Sequence, residues 1–242
     1  CGVLCGCDGD RCCSGRVVAC TGAGAVRCKC IGSALAVAEA LFRAAGRGRV
    51  GVKRRRGWDE PGRSSAAETW RVLAPALEAL GAGWLTLHPR TAKQGFTGTA
   101  RWEYLSELKA LVSLPVIASG DLFTAEDGVR CLAETGVDTV MYARGALRDP
   151  AIFKAHLDLL AGREPEVADV ATLLARIREH ARLARKLSTE KVALLKMRTI
   201  VPRYVRHIEG SKQLRADIIA CRSWDDFEKA LRSFEAGKSS SE

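Results

Sequence analysis

The feature that most constrains this chain is a series of four short apolar segments, each followed by polar or charged residues and then by a helical stretch. The segments centre near residues 52, 86, 117 and 140. Strands that alternate with helices at this spacing predict successive βα units and a parallel sheet. In such sheets, ligands bind beyond the carboxyl ends of the strands, so the residues that follow each segment are candidates for a site.

Composition and charge narrow the class of protein. The chain has 242 residues with 47% hydrophobic content, which suits one large α/β domain or a domain with a small appendage. Its formal net charge of +10 favours a polyanionic partner, and nucleic acid more than anionic lipid. No apolar run approaches the roughly 20 residues of a membrane span, and no signal peptide opens the chain. We therefore expect a cytoplasmic protein without a membrane partner.

Residues 1–31 differ in composition from the rest of the chain. Three interpretations compete: a zinc knuckle, which would usually contain a Cys-x-x-Cys pair that is missing here; a disulfide framework, which does not suit a reducing compartment; and sequence that is not native. The third is favoured because the segment lacks an initiating Met and a periodic apolar pattern, and no metal is expected. Eight of the ten cysteines lie in this segment, namely Cys1, Cys5, Cys7, Cys12, Cys13, Cys20, Cys28 and Cys30.

The predicted elements divide the rest of the chain near residue 162. Residues 32–162 are predicted to contain four βα units, the C-terminal half of a (β/α)8 TIM barrel, and residues 163–242 an all-helical domain. A half-barrel leaves parallel strand edges unpaired, so either a second chain completes it or its first half is missing. The predicted strands are 50–55, 84–87, 115–118 and 137–142, and the predicted helices are 33–45, 65–80, 101–112, 124–135, 151–160, 168–187, 190–208, 211–221 and 224–235.

Four consecutive basic residues end the first of these strands. Side chains two apart share a face of a strand, so Lys53 and Arg55 point one way and Arg54 and Arg56 the other. In a barrel interior, Lys53 would need an anionic or electron-rich partner. The alternative is that the Arg-rich run is a solvated edge. His88, at the end of the next strand, would face the same cavity as Lys53.

Two further strand ends favour an anion. Ser119-Gly120-Asp121 follows the third strand directly, and Gly120 allows backbone N–H groups to approach a ligand near a helix start. The next strand ends in Ala143-Arg144, and barrels often bind a phosphate after their last two strands. We therefore predict a phosphate held by the Gly120 backbone and Arg144, although either motif alone could be an ordinary β–turn–α junction.

Several of these motifs occur in an order and spacing that resemble the tRNA-dihydrouridine synthases. The resemblance extends from about Gly32 to the helical C-terminus, where Lys196-Met197-Arg198 and Tyr204 are similar to that family's tRNA-binding domain. It implies an FMN-dependent (β/α)8 enzyme, monomeric when complete, that reduces uridine in tRNA to 5,6-dihydrouridine. NADPH would reduce the flavin, a hydride would pass to C6 of the uridine, and a loop cysteine would protonate C5. The matching runs are 52–58, 85–91, Gln94-Gly95-Phe96-x-Gly98, 115–121 and 140–144.

The resemblance also implies roles for residues. Lys53 and His88 would contact the flavin ring, and Arg55 and Arg90 would face the substrate. The phosphate and ribitol would be held by Ser119, Gly120, Asp121, Ala143 and Arg144, although the family usually has Asn and Gly in place of the first and fourth of these. The family's Asn-x-Gly-Cys-Pro motif should precede Gly32, and Ala19-Cys20-Thr21-Gly22 stands there instead. Cys20 is thus the nearest candidate proton donor, and we expect little or no activity from the chain as written.

The helical part carries basic residues that the resemblance assigns to tRNA phosphates, namely Arg198, Arg203, Arg206, Lys212 and Arg215. Charge on a helix is otherwise usually a solvated face. Two other functions stay open: another FMN-dependent TIM-barrel oxidoreductase that acts on a small molecule, and a non-catalytic RNA-binding remnant. Flavin absorbance would separate the enzymes from the remnant, and tRNA binding would separate the two enzymes.

Overall fold

The structure is a computed structural model that describes residues 2–5, 31–60, 62 and 68–239. The chain divides into two compact units, residues 1–143 and residues 144–242. The first unit contains a parallel sheet with helices, and the second unit is helical throughout its regular structure. Within the described residues, no helix is both long enough and apolar enough to cross a bilayer.

Five parallel strands form the sheet of the first unit, and their order in the sheet is their order in the sequence. A helix lies in the connection between each pair of neighbouring strands, as strands alternating with helices predict. The strands are β1 Gly2–Cys5, β2 Val50–Arg55, β3 Leu85–His88, β4 Val116–Ala118 and β5 Thr139–Val140.

Among the described residues, four helices accompany this sheet, and each packs against the next in sequence order. Thr124 begins the fourth with a capping box in which its side chain accepts from the Asp127 N–H. Gly81 ends the second in the left-handed conformation at φ 101°. Arg47 also donates to the Leu80 carbonyl at 3.0 Å, which satisfies a helix-terminal acceptor. The helices are α1 Ile31–Ala45, α2 Thr69–Leu80, α3 Glu103–Leu111 and α4 Ala125–Thr135.

The apolar core of the first unit lies between the sheet and these helices. Alternate strand residues such as Val52 and Leu87 point toward the helices and are buried. Leu73 of α2 and Leu105 of α3 meet them with no exposed surface at all. Burying each such side chain contributes about 1.5–3 kcal/mol to stability. The opposite face of the sheet carries the polar residues considered below.

The described part of the second unit contains six helices, of which the last four share a hydrophobic core. Ile177, Met197 and Leu231 lie at its centre without exposed surface. Asp169 caps the first of these four, since its carboxylate accepts from the Thr172 N–H at 2.7 Å. The helices are α5 Arg144–Arg148, α6 Ile152–Leu160, α7 Val170–Leu187, α8 Glu190–Tyr204, α9 Ser211–Ala220 and α10 Trp224–Ser239.

The prediction of a parallel α/β sheet followed by a helical part is confirmed. Several details differ from the sequence-based expectation. The strand expected over 137–142 is reduced to the two residues of β5, and the helix expected to reach 208 ends at Tyr204. The short helix α5 was not predicted. The helix α5 packs on α8, and the boundary between the compact units falls at 143/144, whereas the sequence predicts a boundary at 162/163.

The strand β1 lies in residues 1–31, and a segment of sequence that is not native would be expected to lack regular packing. Its four residues pair with β2 in parallel register, with Val3 opposite Gly51. That expectation is therefore wrong for residues 2–5. Backbone pairing to a sheet edge requires little of the side-chain pattern, which explains why composition did not indicate it. Residues 6–30, and with them Cys20, lie outside the described part of the chain.

Candidate functional site

The face of the sheet that points away from the helices is built in layers. Parallel register places Lys53 beside Thr86, and Arg55 beside His88 at the carboxyl ends of the two strands. Neighbours in register share a face, so these four polar residues line one surface. Toward the amino ends, the Trp84 indole closes this surface. It lies within 2.0 Å of where a Cβ on Gly51 would stand.

The basic run at the end of β2 is not a solvated edge. Lys53 is half-buried, and Arg54, Arg55 and Arg56 are 9%, 5% and 1% exposed. As the alternation predicts, Arg54 points to the helix side, where its Nη2 donates to Thr69 Oγ1 at 2.9 Å. This burial rules out the solvated interpretation, because exposed charges remain hydrated rather than packed.

Arg56 also lies on the helix side. Its guanidinium stacks 4.3 Å above the Tyr104 ring centroid, and its Nη2 contacts Glu60 Oε2 at 2.6 Å. The Nε and Nη1 atoms of this side chain are buried and lack a hydrogen-bond partner among the described residues. Arg56 therefore holds α3 near the carboxyl end of β2 and does not take part in the polar surface.

Arg55 holds the loop that follows β3. Its Nη1 donates to the carbonyls of Thr91 at 2.9 Å and Gly95 at 2.8 Å. The guanidinium also lies 5.7 Å from the centroid of the exposed Phe96 ring. A side chain predicted to face substrate thus makes contacts that order residues 91–98 at the rim of the polar surface.

The turn after β4 packs directly against His88. Ser119 is buried, and its N–H donates to the Leu87 carbonyl at 3.1 Å. Gly120 has φ +120°, which disfavours any residue with a Cβ. A Cβ there would lie 3.0 Å from Ala100 Cβ and 3.3 Å from His88 Nε2. Glycine at this position therefore permits the close approach of the imidazole.

Asp121 and Arg90 form a bidentate ion pair across the same turn. The Nη1 and Nη2 atoms of Arg90 contact Oδ1 and Oδ2 of Asp121 at 2.8 Å each. Asp121 Oδ2 also accepts from the Ala100 N–H at 2.7 Å. Arg90 is 2% exposed. The two residues were predicted to face substrate and ribitol, and the structure places both carboxylate oxygens in contacts within the protein.

His88 is neutral in this environment. Burial lowers the pKa of its imidazole to about 3, and the neighbouring cations Arg55, Lys53 and Arg90 act in the same direction, against the smaller opposing effect of Asp121. The Arg90 N–H donates to His88 Nδ1 at 3.3 Å. Because Nδ1 accepts, the proton of the neutral ring is assigned to Nε2. The site therefore offers a hydrogen-bond donor beside two cationic side chains.

This lowered pKa predicts acid sensitivity. The unfolded chain takes up a proton at position 88 near pH 6.5 and the folded chain only near pH 3, so stability falls as the pH drops through that window. His88→Asn keeps an acceptor toward the Arg90 N–H and removes the titration. We expect the wild type to lose up to about 1.4 kcal/mol per pH unit relative to this variant between the two values.

Urea unfolding followed by tryptophan fluorescence tests this expectation, since Trp58, Trp70, Trp84 and Trp102 belong to the first unit. His207→Asn is the control for losing a histidine outside the site. Parallel stability curves for wild type and His88→Asn from pH 7 to pH 4 would contradict the prediction.

Thr86 was not singled out from the sequence. It is 1% exposed, and its Oγ1 is buried without a hydrogen-bond partner among the described residues. Burying a hydroxyl costs free energy unless the hydroxyl makes a hydrogen bond. A buried hydroxyl without such a partner on the polar surface is therefore a candidate to bind a polar group of a ligand. Its position opposite Lys53 could have been found from the period-two pattern of β3, where Thr86 and His88 share a face.

Ala143 and Arg144 lie at the junction of the two units. Ala143 is exposed and is the last residue of the first unit, and the half-buried Arg144 opens α5 in the second. Their assignment to a cofactor phosphate stays a prediction. Across the described residues, no group of His, Cys, Asp and Glu side chains is arranged so that it could bind a metal ion.

The basic residues of the helical unit fall into two groups. On α7, Arg182 and Arg185 are paired with Glu179 and Glu190 at 2.7 and 2.9 Å. The exposed residues Arg203, Arg206 and Lys212 make no ion pair with any residue that the structure describes.

The other two predicted contacts differ. Arg198 is half-buried and its Nε donates to the Ile219 carbonyl at 2.8 Å, whereas the Nε of half-buried Arg215 has no hydrogen-bond partner in the described part of the chain. The segment from α8 to α9 thus carries basic side chains whose charge no described carboxylate neutralises.

Comparison with known proteins identifies relatives for most of the chain. The sequence model described as "Dihydrouridine synthase (Dus)" matches residues 12–239. The match begins inside the cysteine-rich segment, so it includes residues 12–31, which the sequence interpretation treated as not native.

Curated relatives show the same similarity. A "Probable tRNA-dihydrouridine synthase 1" of Synechocystis is 34% identical over 192 residues, covering 78% of this chain and 52% of the relative. A "Probable tRNA-dihydrouridine synthase" of Treponema pallidum is 35% identical over 202 residues, covering 81% and 58%. A "tRNA-dihydrouridine(16) synthase" of Vibrio parahaemolyticus is 37% identical over 102 residues, covering 42% and 30%. The chain spans about half the length of the first two of these relatives.

Proposed function

Because the chain belongs to the dihydrouridine synthase family, we propose that it serves a tRNA-dihydrouridine synthase reaction, in which uridine in tRNA is reduced to 5,6-dihydrouridine with NADPH through FMN. The observation that carries the proposal is the surface formed by Lys53, Thr86, Arg55 and His88. It combines cationic side chains, a neutral imidazole donor and a hydroxyl that has no hydrogen-bond partner among the described residues, toward the carboxyl ends of parallel strands.

These residues fit a flavin. FMN, when bound, would supply hydride transfer, which amino-acid side chains cannot perform. The Lys53 ammonium would attract an electron-rich ring and stabilise negative charge on it. His88 would donate from Nε2 without competing for a proton, because its pKa of about 3 keeps it neutral. Thr86 Oγ1 would gain the partner that it lacks among the described residues.

Substrate binding is proposed for the helical unit. Arg203, Arg206 and Lys212 are exposed and carry charge that no described acidic residue neutralises. Such residues attract a polyanion and release its counterions on contact. A base in folded tRNA must leave its stack to reach a flavin, so the enzyme needs contacts with the surrounding backbone. The names of the relatives support tRNA as that polyanion.

The flavin part of the proposal predicts a loss on removing the Lys53 charge. Lys53→Met should weaken FMN binding by about 10- to 150-fold, because a charge-assisted contact contributes roughly 1.5–3 kcal/mol. Riboflavin should lose affinity by the same factor, since Lys53 is proposed to contact the ring and riboflavin lacks only the phosphate. Quenching of flavin fluorescence on titration measures both.

Arg43→Met is the matched control, because it removes one exposed cation of α1 that pairs with Glu39. Unchanged FMN affinity in Lys53→Met would contradict the proposed flavin site. A loss of affinity for FMN but not for riboflavin would show that Lys53 contacts the phosphate rather than the ring. The reaction itself is tested by NADPH-dependent formation of dihydrouridine in unmodified tRNA by a chain completed with an upstream half that carries Asn-x-Gly-Cys-Pro, because little or no activity is expected of the chain as written. NADPH oxidation that needs a small molecule and no tRNA would favour the alternative FMN-dependent oxidoreductase.

A further inference from the structure

Arg90 is tied into the protein by nearly all of its donors. Besides the bidentate pair with Asp121, its Nε donates to the Thr97 carbonyl at 3.0 Å and its Nη2 to the Gly98 carbonyl at 2.5 Å. At 2% exposure, the guanidinium has little surface left for a ligand. Its contacts join the end of β3, the loop formed by residues 91–98 and the turn after β4.

Asp121 adopts a conformation that needs such support. Its φ of +53° is in the left-handed region, where a residue other than glycine is strained. The contacts from Arg90 and from the Ala100 N–H hold it there. The neighbouring Gly120 carbonyl accepts from Trp102 Nε1 at 3.1 Å. The turn after β4 and the start of α3 are therefore joined at two adjacent residues.

His88 lies between the Arg90 backbone and the turn after β4. The peptide N–H that reaches His88 Nδ1 is that of Arg90 itself, at 3.3 Å. The opposite ring nitrogen, Nε2, faces Gly120. Moving the Arg90 backbone would remove the donor from Nδ1, and either nitrogen of the neutral ring could then carry the proton. The guanidinium of the same residue is anchored to the Thr97 and Gly98 carbonyls and to Asp121.

We propose that Arg90 is a positioning residue that acts through His88. Its ion pair with Asp121 fixes the Arg90 peptide N–H against His88 Nδ1 and so keeps the imidazole in the single tautomer with hydrogen on Nε2. The inference rests on the proposed function only for the identity of the acceptor that Nε2–H would meet. It is an alternative to the prediction that Arg90 faces the substrate, which stays untested, and the 2% exposure of Arg90 supports it.

Nitrogen-15 NMR of the full chain labelled at histidine tests the proposal without flavin or tRNA. The chain has four histidines, and loss of one set of signals in His88→Asn assigns position 88. In the wild type we expect separate ring-nitrogen shifts, with Nδ1 unprotonated and Nε2 protonated at neutral pH. In Asp121→Asn, which keeps the side-chain shape and breaks the bidentate pair, the two shifts should move toward each other as both tautomers become populated.

Arg90→Lys is a second variant, which keeps the positive charge and loses the planar guanidinium that pairs with both carboxylate oxygens. The two ring-nitrogen shifts of His88 should move toward each other in this variant as well. Lys93→Met is the matched control, because it breaks a neighbouring ion pair, with Asp59, and leaves the Arg90–Asp121 pair intact. The other three histidines lie in the second unit, so unchanged tryptophan fluorescence, to which four tryptophans of the first unit contribute, establishes that each variant is folded. A folded variant in which His88 keeps the wild-type shifts would overturn the proposal, as would a wild type with hydrogen on Nδ1. Because no flavin is present, neither result depends on whether the proposed reaction occurs.

Discussion

Gly51→Ala should destabilise the first unit by about 3 kcal/mol, at the upper end of what overpacking usually costs. A Cβ at this position would lie 2.0 Å from Cε2 and 2.1 Å from Nε1 of Trp84. Neither atom is the end of a flexible chain, so the whole indole must move. Since the indole closes the polar surface below Lys53, its displacement should also weaken flavin binding. Urea unfolding followed by tryptophan fluorescence measures the first effect.

Gly32→Ala is the control for this substitution. Gly32 lies in α1 of the same unit, and a Cβ there would meet no atom within 4 Å. Alanine is the better helix former, so this variant should be neutral or stabilised by up to about 1 kcal/mol. Equal stabilities for Gly51→Ala and Gly32→Ala would show that Trp84 does not rest on the Gly51 backbone.

The sequence predicts the architecture because local signals agree with it. The β2 run has six residues with the period-two pattern, and the structure begins and ends the strand where that pattern does. Thr124 and Gly136 bound α4 by the ordinary chemistry of helix ends. These signals depend on neighbours in the chain, so one sequence suffices to identify them.

The site is less predictable because its contacts join distant residues. His88 and Arg55 could be placed on one surface, since strand alternation and parallel order determine it. The contact of Arg90 with Asp121 spans 31 positions, and each residue alone resembles a ligand-binding group at a strand end. The sequence pattern therefore predicts where polar residues lie together. Whether each of them contacts a ligand or another part of the protein can be decided only from interatomic distances in the structure.

The same distinction applies to the charge of the chain. A net charge of +10 predicts a polyanionic partner but does not locate its surface. On α7, Arg182 and Arg185 have carboxylate partners within 3 Å, and their fields are largely cancelled. On α8 and the turn after it, Arg203 and Arg206 are exposed without an ion pair to any described residue. The unneutralised pair is therefore the better candidate for phosphate contact.

Replacing both Arg203 and Arg206 by Gln should weaken binding of unmodified tRNA by roughly 30-fold at low salt, with a loss of about 1 kcal/mol for each phosphate contact. The slope of log affinity against log salt should become shallower by about two. Each phosphate that loses its arginine contact keeps its counterions on binding, so fewer counterions are released. Fluorescence anisotropy of labelled tRNA between 50 and 200 mM salt, the range over which such contacts weaken, measures both quantities.

The matched control is the double replacement of Arg182 and Arg185 by Gln, which changes the net charge by the same amount. Because these arginines are already paired with Glu179 and Glu190, we expect their loss to change the tRNA affinity by only a few-fold and to leave the salt slope almost unaltered. If both double variants lost affinity equally, tRNA would be responding to total charge, and the surface from α8 to α9 would not be its binding site. A larger loss from Arg203 and Arg206 assigns the phosphate contacts to that surface, since the two proteins differ in the position of the missing charges and not in their number.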